Sequence, residues 1–487
     1  MKVLFVSSEV APFAKTGGLG DVSAALPRQL HALGHDVRVV VPMYARVHGH
    51  GRTFTEVFPE IAFPLGELTV RVGVFSSTLP GSDVPVYFVR CPALYDRANI
   101  YDTAGDEHLR FAVLNHAALR ICQHLRFGPD ILHVNDWQTS LIPLLLRTLY
   151  AWDQLFARTR TVLTIHNLAH QGTFDAALVG PSGLGPVADR LHQDQLREGR
   201  FSFLLTGILY ANAITTVSPT YAREIQTPEH GVGFDGFLRS RADVLRGILN
   251  GIDDDEWNPS ADPLIPYAFS ADELDGKERC KVDLLAAAAL PYRRDVPLVG
   301  VVSRLAWQKG FDLCEEVLPA MLARRRFQLA VLGTGERRYE DFFRRLSQAF
   351  PRQVAYLPAF SERLAHAIEA GSDLFLMPSR YEPCGLNQMY SLRYGTAPVV
   401  HRTGGLADTV WNFDPSTGRG TGFVFDHFDA NGLAWALGRA LDLWGTGTGA
   451  ERERWRQLQR NGMRLPLGWS HRIGEYLALY RLVAPEA

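Results

Sequence analysis

Short, unbroken runs of apolar residues recur along the chain, and most of them lead directly into glycine or a polar loop. A run without polar alternation is typical of a strand buried on both faces of a parallel sheet. Helical patterns separate many of the runs, which predicts a doubly wound sheet whose ligands bind beyond the carboxyl ends of the strands. The runs are 3–6, 37–41, 131–134, 161–165, 213–217, 298–302, 328–332, 374–377 and 397–400.

The first run is followed by a glycine-rich loop, Lys15-Thr-Gly-Gly-Leu-Gly-Asp21, and then by a helical pattern that Gly34 closes. Gly17 and Gly18 would let the backbone approach a ligand at the start of the helix, where free N–H groups favour anions. A tight turn without a ligand is the alternative, because glycine-rich loops between strand and helix often serve only as turns.

A second copy of this pattern, Arg402-Thr-Gly-Gly-Leu-Ala-Asp408, also follows an apolar run and opens a helical pattern. We interpret the two copies as the trace of two similar halves, each with a loop that faces a ligand. Chance similarity between glycine-rich turns is the alternative. The predicted fold is therefore α/β, with two Rossmann-like domains that face each other across a cleft.

Two regions depart from the pattern of buried strands and helices. Residues 52–90 contain short alternating segments, which predict a meander or hairpins inserted into the α/β series. The stretch 253–297 is rich in Asp, Pro and Ala, and we interpret it as the passage between the domains. Asp253-Asp-Asp255 within it resembles the Asp-x-Asp pair of metal-dependent sugar transferases. A solvated turn is favoured, since runs of charge usually are solvated.

Charge and cysteine content exclude several classes of protein. The formal net charge of -2 and the lack of a basic run argue against a general nucleic-acid binder. No apolar stretch has the length of a membrane span, and the first residues read as a strand with no signal peptide. The five cysteines are scattered without metal or Cys-x-x-Cys spacing, so we expect a cytoplasmic protein.

Two cations lie just beyond the run 298–302, in Ser303-Arg-Leu-Ala-Trp-Gln-Lys-Gly310. Arg304 and Lys309 could clamp a diphosphate at a strand end and stabilise it as it leaves. The alternative is a solvated turn that holds two charges, because surface cations are common.

A carboxylate lies in a similar place beyond the run 374–377, in Ser379-Arg-Tyr-Glu-Pro-Cys-Gly-Leu386. Glu382 could bind sugar hydroxyls or stabilise positive charge at a reacting carbon, with backbone N–H groups of Cys384, Gly385 and Leu386 beside it. The alternative is a carboxylate that complements a helix dipole. Nothing near Cys384 indicates a cysteine nucleophile, since no histidine signature accompanies it.

Asp136 and His166 each follow a predicted strand of the first half, on the side where ligands should lie. His166 could donate to a substrate hydroxyl or phosphate, and Asp136 could accept a hydrogen bond from one. A structural role is the alternative for each residue.

Several of these segments together resemble the glycosyltransferase family of bacterial glycogen synthases and plant starch synthases. The resemblance extends from the first strand to Tyr476-Leu-Ala-Leu-Tyr-Arg481. The matching motifs are Lys-Thr-Gly-Gly-Leu at 15–19, Thr-Ile-His-Asn at 164–167, Ile-Leu-Asn-Gly-Ile-Asp at 248–253, Ser-Arg-Leu-x-x-Gln-Lys-Gly at 303–310 and Glu-Pro-Cys-Gly-Leu at 382–386.

The resemblance implies the two-domain GT-B fold and a retaining transfer of glucose from ADP-glucose to the non-reducing end of an α-1,4-glucan. It implies no metal and no pyridoxal phosphate in that reaction. The implied domains are an acceptor domain at 1–250, a donor domain at 251–466, and a helix at 467–487 that crosses back to the first domain. Arg304 and Lys309 would hold the diphosphate, and Glu382 with the backbone after it would bind the glucosyl unit. The residues implied to complete the site are Lys15, Gly17, Gly18, Asp21, Asp136, His166 and Asn250, with Phe360 against the adenine and Tyr95 as a further sugar contact.

The chain departs from the family pattern at two places. Asn135 stands where the family commonly has a second histidine, and residues 180–200 are hard to align. A front-face route, in which the departing phosphate takes the acceptor proton, would need no protein nucleophile. Three alternatives stay open: a transferase for another nucleotide sugar or acceptor, a glucan-binding protein without activity, and a phosphorylase with pyridoxal phosphate.

Overall fold

The structure is a computed structural model that describes residues 1–50, 53–102, 104–359, 361–445 and 449–486, with residues 48–50 described by their backbone alone. These residues form two compact units. The first unit comprises residues 1–250 and 472–486, and the second unit comprises residues 251–471.

Strands and helices alternate in both units. The strands are β1 (Lys2–Val6), β2 (Asp36–Pro42), β3 (Thr55–Leu65), β4 (Leu68–Thr78), β5 (Pro85–Arg90), β6 (Ile131–Asn135), β7 (Arg160–Ile165), β8 (Thr173–Asp175), β9 (Arg200–Ser202), β10 (Ala213–Thr216), β11 (Leu245–Gly247), β12 (Leu298–Val302), β13 (Gln328–Leu332), β14 (Val354–Leu357), β15 (Leu374–Met377), β16 (Ala397–His401) and β17 (Phe423–Phe425). The helices are α1 (Gly18–Ala32), α2 (Pro92–Tyr95), α3 (Glu107–Leu125), α4 (Ile142–Arg147), α5 (Gln193–Arg197), α6 (Phe203–Tyr210), α7 (Pro219–Glu224), α8 (Asp235–Ser240), α9 (Asp275–Ala287), α10 (Phe311–Arg324), α11 (Arg337–Ala349), α12 (Glu362–Gly371), α13 (Asn387–Arg393), α14 (Gly404–Thr409), α15 (Ala430–Trp444), α16 (Gly449–Met463) and α17 (Ile473–Val483).

The first unit contains a sheet in the order β11-β10-β7-β6-β1-β2-β5-β4-β3. Its strands from β11 to β5 are parallel, and β4 and β3 continue the sheet in antiparallel fashion. The meander predicted for residues 52–90 is therefore confirmed. The strand β1 is flanked by β2 and β6, so the loop after β1 begins where the strand order reverses.

The second unit contains a fully parallel sheet in the order β14-β13-β12-β15-β16-β17. The side chains of Val299, Leu329 and Leu374 are fully buried, as expected of strands covered by helices on both faces. The strand order reverses between β12 and β15, which places the loops that follow them at the switch point of the sheet. Parallel sheets in both units confirm the predicted α/β class.

The prediction for residues 253–297 is wrong in part, because α9 lies within this stretch and packs in the second unit. The buried face of α9 carries lysines, so the apolar periodicity that signals a packed helix is missing. Lys281 Nζ lies 2.7 Å from Asp373 Oδ2. Lys277 Nζ donates to the Ala370 carbonyl at 3.0 Å and to Thr396 Oγ1 at 2.7 Å. These buried ammonium groups are acceptable because each has partners.

The two Thr-Gly-Gly-Leu loops do not occupy equivalent places. The Lys15 loop follows β1, which is the first strand along the chain in its unit. The Arg402 loop follows β16, which is the last strand but one in the second unit. In the second unit the position equivalent to the Lys15 loop is 303–310, after β12. The interpretation of the two copies as the trace of a repeat is therefore wrong, although each half does contain a doubly wound sheet.

The terminal helix α17 packs in the first unit. Tyr480 is fully buried there, and its hydroxyl lies 2.6 Å from His133 Nδ1 on the central strand β6. Within the described residues, no helix combines the length and the apolar character that crossing a membrane requires.

Candidate active site

The strongest grouping of predicted residues lies at the switch point of the second unit. Lys309 comes from the loop after β12 and Glu382 from the loop after β15, and Lys309 Nζ lies 2.6 Å from Glu382 Oε2. Ser379 Oγ donates to the same carboxylate oxygen at 2.9 Å. The fold thus joins an ammonium and a carboxylate that are 73 positions apart in the chain.

The carboxylate of Glu382 is the more enclosed member of this pair. Its side chain is 8% exposed and that of Lys309 is 20% exposed. A carboxylate at this depth needs a partner to offset lost hydration, and Lys309 supplies it. An ammonium has three donors, so Lys309 can hold Glu382 and still donate to a ligand oxygen. Arg304 is exposed, and among the described residues no carboxylate forms an ion pair with it.

Several contacts hold the two loops together. The Arg380 guanidinium stacks between the rings of Trp307 and Phe428, at 4.2 Å from each centroid, and pairs with Asp312 at 2.6 Å. Gly310 has φ 73°, and a Cβ there would lie 2.0 Å from the Pro378 carbonyl oxygen. Only glycine suits both the backbone angle and this close approach.

The Glu382 loop is also fixed from behind by α14. The N–H of Gly405 donates to the Glu382 carbonyl at 3.1 Å and to the Pro383 carbonyl at 3.2 Å. Cβ atoms on Gly404 and Gly405 would clash with the Glu382 and Cys384 carbonyl oxygens, at 1.9 and 2.0 Å. These glycines therefore serve to position the backbone that carries Glu382.

The three residues after Pro383 form a tight turn into α13. Gly385 has φ 70°, and the Gln388 side chain donates to the carbonyls of Cys384 and Gly385 at 3.0 and 2.9 Å. Leu386 is the residue immediately before α13. Cys384 is buried, at 5% exposed, which agrees with the absence of a nucleophile signature around it.

In the first unit, Lys15 and Asp21 form an ion pair of 2.6 Å across the start of α1. Gly17 is the residue before the helix and Gly18 its first residue, and a Cβ on Gly17 would meet no atom within 4 Å. The Lys15 loop is open at this point and can admit a ligand.

Glu9, which the sequence analysis missed, holds the Lys15 loop. Its buried carboxylate accepts from the Thr16 N–H and hydroxyl, each at 2.6 Å, and from the Gly17 N–H at 3.3 Å. The Tyr101 hydroxyl donates to it as well, at 2.8 Å. An acidic residue near the carboxyl end of the buried strand β1 was the available signal.

Asp136 and His166 are brought together at the ends of β6 and β7. The backbone N–H of His166 donates to Asp136 Oδ1 at 2.6 Å, and burial raises the pKa of Asp136 to about 7. Asp136 has φ 52° and ψ -171°, a conformation that non-glycine residues rarely adopt. Backbone strain of this kind is concentrated at functional sites.

The histidine ring of His166 is neutral, because burial lowers its pKa to about 3. The Asn135 amide donates to the Val6 carbonyl at 3.0 Å, which turns Asn135 Oδ1 towards His166 Nε2, also at 3.0 Å. The Nε2–H therefore donates to Asn135, and Nδ1 keeps its lone pair. The expectation that His166 donates to a ligand is corrected: in this tautomer its remaining nitrogen accepts.

Three further predicted residues lie apart from these groups. Asn250 is buried, and among the described residues nothing is within hydrogen-bond distance of its Oδ1. Tyr95 is fully buried and its hydroxyl donates to the Arg110 carbonyl at 2.7 Å, so it packs in the interior and the predicted sugar contact is not supported. Phe360 lies outside the described residues.

Comparisons with known proteins identify the family. Residues 2–240 match the starch synthase catalytic domain, and residues 287–461 match glycosyl transferases group 1. The chain is 47% identical to a glycogen synthase of Anaeromyxobacter dehalogenans (strain 2CP-C), over all of both chains. This chain belongs to the glycogen synthase family. Family members from Myxococcus xanthus and Thermotoga maritima are 45% and 42% identical, over 100% and 99% of this chain and 100% and 98% of theirs.

One solved structure agrees with membership of this family, and a second one resembles the chain in fold alone. The catalytic domain of starch synthase IV from Arabidopsis thaliana, bound to ADP and acarbose, has a TM-score of 0.90 and 33% identity over 99% of both chains. A sucrose-phosphate synthase from Thermosynechococcus elongatus has a TM-score of 0.62 at 17% identity over the whole of both chains, a likeness of fold alone. The fold is of the two-domain GT-B type.

Proposed function

We propose that this protein is a glycogen synthase that transfers glucose from ADP-glucose to the non-reducing end of an α-1,4-glucan and releases ADP. The observation that carries the proposal is the Lys309–Glu382 pair at the switch point of the second sheet. Doubly wound sheets bind their ligands at this place, and the pair offers one cation and one buried anion there.

The second unit would bind the donor. Arg304 and Lys309 come from one loop and would hold the two phosphates, so that the negative charge that grows on the leaving ADP meets two cations. The carboxylate of Glu382 would accept from sugar hydroxyls and favour the positive charge that develops at the anomeric carbon. Because Ser379 and Lys309 already fix Glu382, little reorganisation would accompany the reaction.

The first unit would bind the glucan. Lys15 and Asp21 lie on the open side of the α1 start and offer a donor and an acceptor. His166 Nδ1 and the orphaned Asn250 Oδ1 both accept, which suits the hydroxyls of glucose.

The balance of bonds is that of a retaining transfer on one face of the sugar. The bond from the anomeric carbon to the phosphate oxygen breaks, and a bond to the 4-hydroxyl oxygen of the acceptor forms. The proton of that hydroxyl passes to the departing phosphate. A route of this kind needs no protein nucleophile, in keeping with the buried Cys384.

A donor panel tests the proposal. Purified protein is given ADP-glucose, UDP-glucose, GDP-glucose or ADP-mannose with glycogen as acceptor, and sugar incorporation is measured. We expect ADP-glucose to be used best and the product to contain new α-1,4 linkages. Preference for another nucleotide sugar would support the alternative of a related transferase, and no turnover with any donor would support a glucan-binding protein without activity.

A phosphorylase is distinguished by a simpler observation. Pyridoxal phosphate bound to a lysine colours the protein, and phosphate would then replace ADP in the reverse reaction. We expect colourless protein that releases glucose from glycogen with ADP as ADP-glucose. Phosphorolysis of glycogen would contradict the proposed reaction.

A further inference from the structure

A cluster of potential metal ligands lies in the second unit, on residues that the proposed reaction does not use. Glu256, Glu362 and His366 each offer one ligand atom, and these atoms lie within 4.8 Å of one another. Glu362 and His366 are four residues apart on α12, so they share one face of that helix. Glu256 comes from the turn after Ile252.

The imidazole of His366 supplies the observation that points to a ligand. Its side chain is 1% exposed, and its Nδ1 lies 2.7 Å from Asp262 Oδ2. The Nδ1–H therefore donates to Asp262, and Nε2 is the ring nitrogen that remains for a ligand. Nε2 is buried, and no described residue forms a hydrogen bond with it. An orphaned buried polar atom is costly, at about 1–3 kcal/mol, unless something binds it.

The surroundings of His366 hold its ring in one orientation. Trp257 stacks on it at 3.8 Å and on Tyr390 at 3.7 Å, with interplanar angles of 17° and 7°. Asp262 is fixed in turn by the Tyr394 hydroxyl at 2.6 Å. A carboxylate that orients a histidine through Nδ1 is the usual support for a histidine that ligates a metal through Nε2.

We propose that Glu256, Glu362 and His366 bind one Zn²⁺ ion. One imidazole nitrogen and two carboxylate oxygens are ligands that Zn²⁺ accepts, with water at the remaining position. The two glutamates are exposed, while the buried histidine fixes the place of the ion. The ion ties the turn that carries Glu256 to the first turns of α12, and so stabilises the second unit. This site is separate from the Lys309–Glu382 pair and takes no part in glucosyl transfer.

Zinc titration of the metal-free, full-length protein tests this site. Wild-type protein should bind one more Zn²⁺ than the Glu256→Gln and Glu362→Gln variants, or bind it at least about tenfold more tightly. Both glutamates are exposed, so the variants should fold normally, as checked by circular dichroism. The control is Glu316→Gln, an exposed glutamate on α10, which should bind Zn²⁺ like the wild type.

The nature of the ligands is tested with a second ion. Mg²⁺ prefers oxygen ligands and water, so it should compete with Zn²⁺ only weakly if His366 is a ligand. Zn²⁺ binding that is the same in wild type and in both glutamate variants would overturn the proposal, as would equal affinity for Mg²⁺ and Zn²⁺. Neither result depends on catalytic activity, so the proposed reaction stands or falls separately.

Discussion

At the scale of single residues, the first unit contains a carboxyl group whose charge is costly. Burial raises the pKa of Asp136 from 3.8 to about 7, although its Oδ1 accepts two backbone N–H groups. A group whose pKa is raised by folding favours the folded protein at pH values below its pKa in the unfolded chain. This contribution to stability is lost as the pH rises through its pKa in the folded protein. Asp136 should therefore destabilise the folded protein progressively between about pH 4 and pH 7.

Asp136→Asn removes this titration and keeps an oxygen that can accept from the His166 N–H. We expect the free energy of unfolding of the variant, relative to wild type, to rise by about 2 kcal/mol between pH 5.5 and pH 8.5. Urea denaturation at both pH values measures it. If the difference in the free energy of unfolding between variant and wild type is the same at both pH values, the pKa of Asp136 is not raised by folding.

Single-residue roles were only partly readable from the sequence. The family motifs mark Lys309 and Glu382, but their pairing depends on β12 and β15 being neighbours, which local sequence does not encode. The acceptor state of His166 depends on the Val6 carbonyl, which is 129 positions from Asn135 and orients its amide. Glu9 was missed for a similar reason, since a lone glutamate after a strand has many ordinary roles.

At the scale of secondary-structure elements, α14 is a support for the Glu382 loop. Gly405→Ala would place a Cβ 2.0 Å from the Cys384 carbonyl oxygen, so the loop must move. We expect a loss of about 1–3 kcal/mol in stability together with a lower rate of glucosyl transfer. The matched control is Gly438→Ala on α15, where a Cβ meets nothing within 4 Å and helix propensity should favour alanine. Thermal unfolding and initial rates of both variants test the support; wild-type behaviour of Gly405→Ala would contradict it.

The terminal helix α17 contacts the sheet of the first unit through a hydrogen bond between Tyr480 and His133 on β6. Burial lowers the pKa of His133 to about 3, so its neutral ring relies on the Tyr480 hydroxyl and on Thr164 Oγ1, both at 2.6 Å. Tyr480→Phe leaves one ring nitrogen without a partner and should cost about 1–3 kcal/mol in urea denaturation. Leu482→Ala, at an exposed position on the same helix, should change stability by less than about 0.5 kcal/mol. If the two substitutions lowered the free energy of unfolding equally, the hydrogen bond between Tyr480 and His133 would not contribute to stability.

The sequence pattern predicted strands and helices correctly where the buried residues are all apolar, and it failed where charged residues are buried among them. The apolar runs mark the parallel strands because these strands are covered on both faces. The helix α9 was missed because two lysines, Lys277 and Lys281, interrupt the apolar pattern of its buried face and find their partners inside the unit. Apolar periodicity in a sequence indicates which apolar residues are buried, and it does not reveal buried ion pairs.

At the scale of the whole molecule, two doubly wound sheets carry the candidate residues at their carboxyl ends. The apolar runs of the sequence predicted this class of fold correctly. The two Thr-Gly-Gly-Leu loops, which we interpreted as a sign of two similar halves, follow strands that are not equivalent in the two sheets. The shared Thr-Gly-Gly-Leu pattern reflects a common local need, since both loops lead into a helix through glycine. Similar halves and similar loops are therefore separate facts about this chain.

The most direct test of the proposed reaction is the initial rate of glucose incorporation into glycogen from ADP-glucose. We compare wild type with Glu382→Gln and Lys309→Ala, and use Glu316→Gln as the control. We expect rates at least about 100-fold lower for the first two variants and an unchanged rate for the control, with similar thermal unfolding for Glu382→Gln and wild type. Wild-type rates in folded Glu382→Gln and Lys309→Ala protein would contradict the assignment of the reaction to this pair.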